Sequence, residues 1–220
     1  MNGAAADVVP ARVRDAIGLV LVVLVASGLS CKSARKHRPA ASEEGLTGGT
    51  LVFEDDFERS NLGERWLNRS GRWRIRDGHL TVQKDRNEGV WLAEPLPERV
   101  RIEFEARALD DEGDLKCEVF ASEPRHQAGY IVILGGWRNT VSVIARLDEH
   151  GEDRMESADQ ARPGVWHRFV LVRVSDTLRW YLDGRLVLQF HDEDPLRGRL
   201  FGFNDWNSPV EFDNLKIYEL

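Results

Sequence analysis

The feature that most constrains this chain is a period-two alternation of apolar and polar residues that recurs from about residue 50 to the C-terminus. "RVRIEFEARAL" sets Val100, Ile102, Phe104 and Ala106 on one side and Arg101, Glu103, Glu105 and Arg107 on the other. "VWHRFVLVRV" sets Trp166, Arg168, Val170, Val172 and Val174 against Val165, His167, Phe169, Leu171 and Arg173. Side chains point to opposite faces with this period only in a β-strand, so each segment reads as a strand with one buried face. Two Asp-Gly pairs, Asp77-Gly78 and Asp183-Gly184, sit between β-rich flanks. Both central residues of a two-residue hairpin need positive φ, which Asp and Gly tolerate. No segment carries a sustained stripe at 3.6 residues, and "DRMESADQAR" offers one helical turn at most. Many short strands with frequent turns predict two stacked antiparallel sheets. Val52 and Phe53 near one end, and Phe212, Leu215 and Ile217 near the other, are too apolar for frayed termini and belong in a sheet.

The N-terminal part has a different character. Arg12 and Arg14 precede a fourteen-residue apolar run, 16–29, too short to span a bilayer, which takes about 20 residues. It suits the core of an export signal. The run ends in "SGLSC", which resembles the lipobox of bacterial lipoproteins and implies that Cys31 carries lipid. Cleavage by an ordinary signal peptidase nearby, or a short uncleaved anchor, are the alternatives. Residues 31–49 are basic and then small and polar, a flexible tether. The expected organisation is a signal segment over 1–30, a tether over 31–49 and one domain over 50–220. Localisation follows as the cell envelope, anchored by lipid at the outer membrane or in the periplasm.

Charge narrows the partners. Residues 1–44 hold six Lys/Arg and four Asp/Glu, leaving 24 and 33 in the rest, a net of −9. An acidic domain with no basic stripe is not a nucleic-acid binder. If Cys31 is acylated, Cys117 has no partner within the chain, and "DLKCEVFAS" places it as a small buried residue between Leu115 and Val119.

"VWHRFVLVRVSDTLRWYLDGRLV" resembles the laminin-G and concanavalin A-like lectin/glucanase superfamily, in which a Trp-His strand leads into a hairpin ending Tyr-x-Asp-Gly. "VEFDNLKIYEL" is similar to that group's closing strand and "LVFEDDFERSNLGERW" to its opening strand. "GRWRIRDGHLTV" resembles 3-keto-disaccharide hydrolase-type domains of exported bacterial proteins. The resemblance covers residues 50–220. It implies an all-β, two-sheet antiparallel jelly-roll β-sandwich of the concanavalin A-like type, with first and last strands adjacent. It leaves open a lectin, a glycosidase or an adhesion module.

Candidate site residues follow from that fold. Retaining glucanases of the superfamily place Glu-x-Asp-x-(x)-Glu on one strand, where alternate carboxylates share a face. "EGDLKCE" approaches the motif: Glu112 and Asp114 fit, and the last glutamate arrives at Glu118. Glu103, Glu105, Glu118 and Asp148 are the carboxylates open to a catalytic role, with a charged solvent face as the alternative. For ligand binding, Trp137 follows two glycines in "GGWRN", and Trp206 lies in the polar loop "FGFNDWNSP". An indole stacks on the C–H face of a sugar while Asn139, Arg146, Asp148 and Asp205 hydrogen-bond its hydroxyls. The turns "GGWRN" and "DEHGED" are expected at opposite ends of one strand, too far apart for a single small pocket. No cofactor is expected, although calcium is possible through Asp205 and Asn207. The histidines lack zinc spacing. The sequence favours an exported, lipid-anchored glycan-binding module, with a glycoside hydrolase of 3-keto-disaccharide type and a protein-binding envelope module as alternatives.

Overall fold

The structure is a computed structural model and describes residues 45–220. The signal segment, Cys31 and the tether up to residue 44 lie outside the described residues. Among the described residues fifteen strands follow one another. They begin with β1 (Thr50–Asp55), β2 (Trp66–Asn68), β3 (Arg74–Arg76), β4 (His79–Val82) and β5 (Val90–Leu92). The middle of the domain holds β6 (Val100–Ala108), β7 (Leu115–Ala121), β8 (Tyr130–Gly135), β9 (Val141–Arg146) and β10 (Met155–Ser157). The last five are β11 (His167–Val174), β12 (Thr177–Leu182), β13 (Arg185–His191), β14 (Leu200–Asn204) and β15 (Val210–Glu219). They build two antiparallel sheets, a jelly-roll β-sandwich as expected. The first sheet runs β13-β12-β11-β6-β15-β4-β3, and the second β10-β9-β8-β7-β14-β5-β2.

The apolar ends are tied in as their composition demands. β15 is long enough to share its flank. Residues 210–212 pair with β4, and 215–219 pair with β1, so the first and last strands lie side by side. Both Asp-Gly pairs close two-residue hairpins. Asp77 and Gly78 have φ of 51° and 78°, and Asp183 and Gly184 have 50° and 80°. Met155–Ser157 of "DRMESADQAR", which offered one helical turn at most, forms the short edge strand β10, paired with β9.

One face of each sheet meets the other in a single core. Phe203 on β14 stacks on Phe212 of β15 across the two layers, with centroids 4.3 Å apart, and Phe104 stacks on Phe169 at 4.8 Å. Each such side chain contributes about 2–3 kcal/mol by leaving water. Cys117 lies in this core, and burial pushes its thiol well above the ordinary range. The first sheet's outer face carries Val170, Val172 and Val174, with Leu46 and Leu220 packed on them. Arg101 Nη1 donates to the carbonyls of Gly45 and Gly48, so residues 45–48 lie against that face.

The second sheet's outer face matters more. β7 is buried on both faces. Leu115, Cys117 and Val119 point into the core, and Lys116 and Glu118 point outward. Beside them Ile131, Ile133, Val143 and Ala145 form a second apolar cluster, covered in part by Trp137 and Val141.

Candidate functional site

Trp137 is presented by a strained turn. β8 ends at Gly135, whose φ of 69° only glycine adopts without cost. Trp137, Arg138 and Asn139 follow with φ of 50°, 60° and 60°, three successive left-handed residues. Such a run persists only where its surroundings enforce it. Asn139 supplies the clamp: its Nδ2 donates to Ala161 O at 2.7 Å and its Oδ1 accepts from Ala161 N at 2.9 Å. Thr140 closes the turn, its N–H donating to Gly136 O and its Oγ1 to Trp137 O. Neighbouring backbone is equally tight. A Cβ at Gly113 would lie 2.4 Å from Gly135 O, so that position also admits nothing larger.

The loop after β9 does not stay at the far end of its strand, as the sequence suggested. It folds back along the sheet. The His150 ring meets Trp137 edge-on at 5.4 Å, and the Arg154 guanidinium lies 4.6 Å from the indole centroid on its other contact. Thus "GGWRN" and "DEHGED" share one site.

That site is a pocket of about 600 Å³. Trp137 and Trp206 both line it, Ile133 and Gly136 supply apolar surface, and Glu112, Asp114, Arg138 and His150 supply polar groups. Trp206 is 55% exposed and free to meet a ligand. Its backbone N–H donates to Asp114 Oδ2 at 2.6 Å, which ties the loop after β14 to the start of β7. Arg138 Nε and Glu112 Oε2 lie 3.7 Å apart at the rim.

Beneath the pocket runs a buried ionic network. Lys116 Nζ lies 3.0 Å from Glu149 Oε2 and 3.5 Å from Asp114 Oδ1, and it donates to Asn87 Oδ1 at 2.9 Å. Burial opposes the Lys116 charge, but Asp114 and Glu149 outweigh it and hold the ammonium above its ordinary value. Burial also opposes the Glu149 charge, yet His126 and Lys116 bring its pKa down to about 2. Glu118 is fully buried. Its Oε1 meets His126 Nδ1 at 2.6 Å and accepts from Asn204 Nδ2 at 2.9 Å. Burial would lower the His126 pKa, but its bonds to Glu118 and Glu149 push it up to about 9. Asp114 is raised chiefly by burial. Asp205 is raised to about 7, first by burial and then by the Asp114 charge. The pocket therefore holds a carboxyl that ionises reluctantly above a fixed set of paired charges.

Residues 52–218 match the 3-keto-alpha-glucoside-1,2-lyase-like domain. The chain belongs to that family. No curated protein matches the chain. Solved structures similar to this family member share its fold at low identity. The carbohydrate binding module CBM66 from Bacillus subtilis superposes with a TM-score of 0.61 at 16% identity, covering 70% of this chain and 96% of that one. A laminarinase from Flavobacterium sp. UMI-01 gives 0.59 at 11%, covering 77% and 100%. A laminarinase catalytic domain from Thermotoga petrophila RKU-1, an endo-1,3-beta-glucanase, gives 0.56 at 13%, covering 78% and 98%.

The structure separates the residues singled out by sequence. Trp137 and Trp206 come together. Asp205 lies behind Trp206 and is fully buried; its oxygens accept from the N–H groups of Asp85 and Ser208. Asn139 serves the turn rather than a ligand. Arg146 is elsewhere, its Nε donating to Asp192 Oδ2 at 2.9 Å. Asp148 accepts from Gln127 Nε2 and His150 N, holding its own loop. Glu103 and Glu105 face outward from β6 on the other sheet, bonded to Arg101, Arg168 and Asn214. They do not approach Glu118. Among the described residues no group of three or more His, Cys, Asp or Glu is placed to hold a metal ion. By sequence Asp114 stands out only as a fit to a spaced catalytic motif, and His150 is not singled out. Asp114 lay inside a motif read for its spacing, although Gly113 beside it signalled a rim turn.

Proposed function

We propose that this domain binds a carbohydrate in the pocket between Trp137 and Trp206. The observation that carries this reading is the convergence of two indoles, from loops about seventy residues apart in sequence, on one concavity with a polar rim. Sugar rings offer C–H faces to indoles and hydroxyls to carboxylates, guanidinium and imidazole groups. The carbohydrate-related names of the fold's neighbours and the family's own description support the class of ligand. A glycan array probed with the wild-type protein and with the Trp137→Ala/Trp206→Ala double variant tests it. Loss of signal in the variant supports the reading, and an unchanged pattern removes it.

A second reading is favoured by the family match and by Asp114. In a 3-keto-α-glucoside the ketone acidifies the C2 hydrogen. Removing that proton and expelling the C1 substituent with its bonding pair leaves an enone and a released alcohol, which recovers a proton. Such chemistry needs a group able to exchange protons near neutrality. Asp114, whose carboxyl burial pushes above its ordinary value, and the His150 imidazole beside Trp137 both line the pocket. Incubation with a 3-keto-disaccharide, followed by ultraviolet absorbance of the enone, tests it. Product formation that Asp114→Asn and His150→Gln leave intact would exclude these two residues from the chemistry.

The chain's place follows from its N-terminus. The apolar run 16–29, with Cys31 two residues beyond it, supports export and lipid attachment at the cell envelope. Metabolic labelling with a palmitate analogue should mark the wild type and not Cys31→Ser.

A further inference from the structure

β7 leads from the indole pocket to a second concavity at its other end. Asp114 lines the first and Phe120 the second, about 20 Å apart at the rise of an extended strand. The second pocket, of about 400 Å³, lies between the end of β11, the residues just before β6 and the segment 195–199. Arg99, Arg173, Arg197 and Arg199 line it, with Glu98 the one acid among its lining residues. In a domain of net charge −9 this is a local reversal of sign.

Arg173 sets the pocket apart. Alternation along β11 puts it on the inward side with Phe169 and Leu171, where the core ends. It is 8% exposed. Its guanidinium lies over Phe120 at 3.9 Å from the centroid and 5.9 Å from that of Tyr130. Among the described residues no oxygen accepts a hydrogen bond from it. The nearby Asp192 is already engaged. Its Oδ2 accepts from Tyr130 Oη and Arg146 Nε, and its Oδ1 from Asp194 N. Ring contact offsets part of the cost of burying a cation, and none of the Arg173 nitrogens is among the fully buried side-chain atoms left without a partner. The wall opposite is close-packed: a Cβ at Gly198 would lie 2.3 Å from Phe120 O.

We propose that this pocket is a binding site for a small ligand bearing an oxyanion, a carboxylate, sulfate or phosphate, received by Arg173 with Arg99, Arg197 and Arg199 around it. A guanidinium offers two parallel N–H groups to such an anion, and a desolvated setting strengthens the pair. The site is independent of the indole pocket and would let the domain hold an acidic sugar or an anionic metabolite in addition to a neutral glycan.

The full chain in detergent micelles, titrated calorimetrically with sodium sulfate, inorganic phosphate or sodium glucuronate at constant ionic strength, tests this. Saturable binding of at least one anion is expected. Sulfate or phosphate binding indicates a tetrahedral group, and glucuronate binding a carboxylate; either supports the site. Arg173→Gln should weaken binding at least about tenfold and Arg197→Gln about threefold, as loss of a buried and of an exposed charge contact respectively. Trp137→Ala should leave it unchanged. Because Arg173 packs on the core, Arg197→Gln, at an exposed position, decides the matter if Arg173→Gln does not fold. No saturable binding by any of the three anions, or wild-type affinity in the folded arginine variants, would overturn the proposal.

Discussion

The backbone N–H of Trp206 donates to Asp114 Oδ2 at 2.6 Å, and this bond joins the two loops that wall the indole pocket. Removing the acceptor leaves a partly buried N–H without a partner, at a cost of about 1–3 kcal/mol. Asp114→Ala should lower unfolding stability by that amount and weaken glycan binding by freeing the Trp206 loop. Asp114→Asn keeps an acceptor oxygen and should recover most of the stability. Urea unfolding and a binding titration of the two variants together check this.

Both indoles should matter for binding, and Trp206 far more for binding than for folding. An aromatic contact contributes about 1 kcal/mol beyond its buried area, so each of Trp137→Ala and Trp206→Ala should weaken binding roughly fivefold. Trp206 is the cleaner probe because its side chain is largely exposed and its loss should move the melting temperature little. Trp137 also covers Ile133 and its neighbours, so its replacement should cost stability as well.

His126 makes stability depend on alkaline pH. Its pKa is about 9 in the fold against 6.5 ordinarily. The folded state thus keeps a proton that the unfolded chain has released. The stabilisation is complete below about pH 6.5 and disappears as pH rises through 9, a loss of at most about 3 kcal/mol. Unfolding free energies measured between pH 6 and 10 should fall accordingly in the wild type. His126→Gln should flatten that slope.

Asp205 acts in a lower pH window and in the same direction. Its pKa is about 7 in the fold against 3.8 ordinarily. Between pH 4 and 7 the unfolded chain ionises this group while the fold resists, so rising pH costs stability until both states are charged. Asp205→Asn removes the ionisation. The stability of Asp205→Asn relative to wild type should therefore increase from pH 4.5 to 8, by at most about 4 kcal/mol. A constant difference across that range would show that Asp205 ionises normally in the fold.

The sandwich was legible because strand alternation and Asp-Gly turns are local signals. Phe104 and Ile102 point inward from β6 for the same reason that Glu103 and Glu105 point outward. The site was legible only in its aromatic part. Trp137 and Trp206 announced themselves as indoles in polar, glycine-containing loops. Asn139 and Arg146, polar and nearby in sequence, belong respectively to a backbone clamp and to an ion pair with Asp192. Nothing in residues 139–146 distinguishes a side chain that holds its own chain from one that awaits a ligand. The return of the loop after β9 was hidden too. It depends on Glu149 reaching Lys116 and His126, contacts across three segments that no short stretch of sequence encodes.

The most direct measurement is tryptophan fluorescence of the protein titrated with a 3-keto-disaccharide and with its unoxidised parent sugar, in the wild type and in Trp137→Ala/Trp206→Ala. Carbohydrate binding at this pocket predicts a saturable change in the wild type with at least one of the two sugars, and its loss in a double variant that still unfolds cooperatively. The same affinity in that variant, monitored by calorimetry, would contradict it.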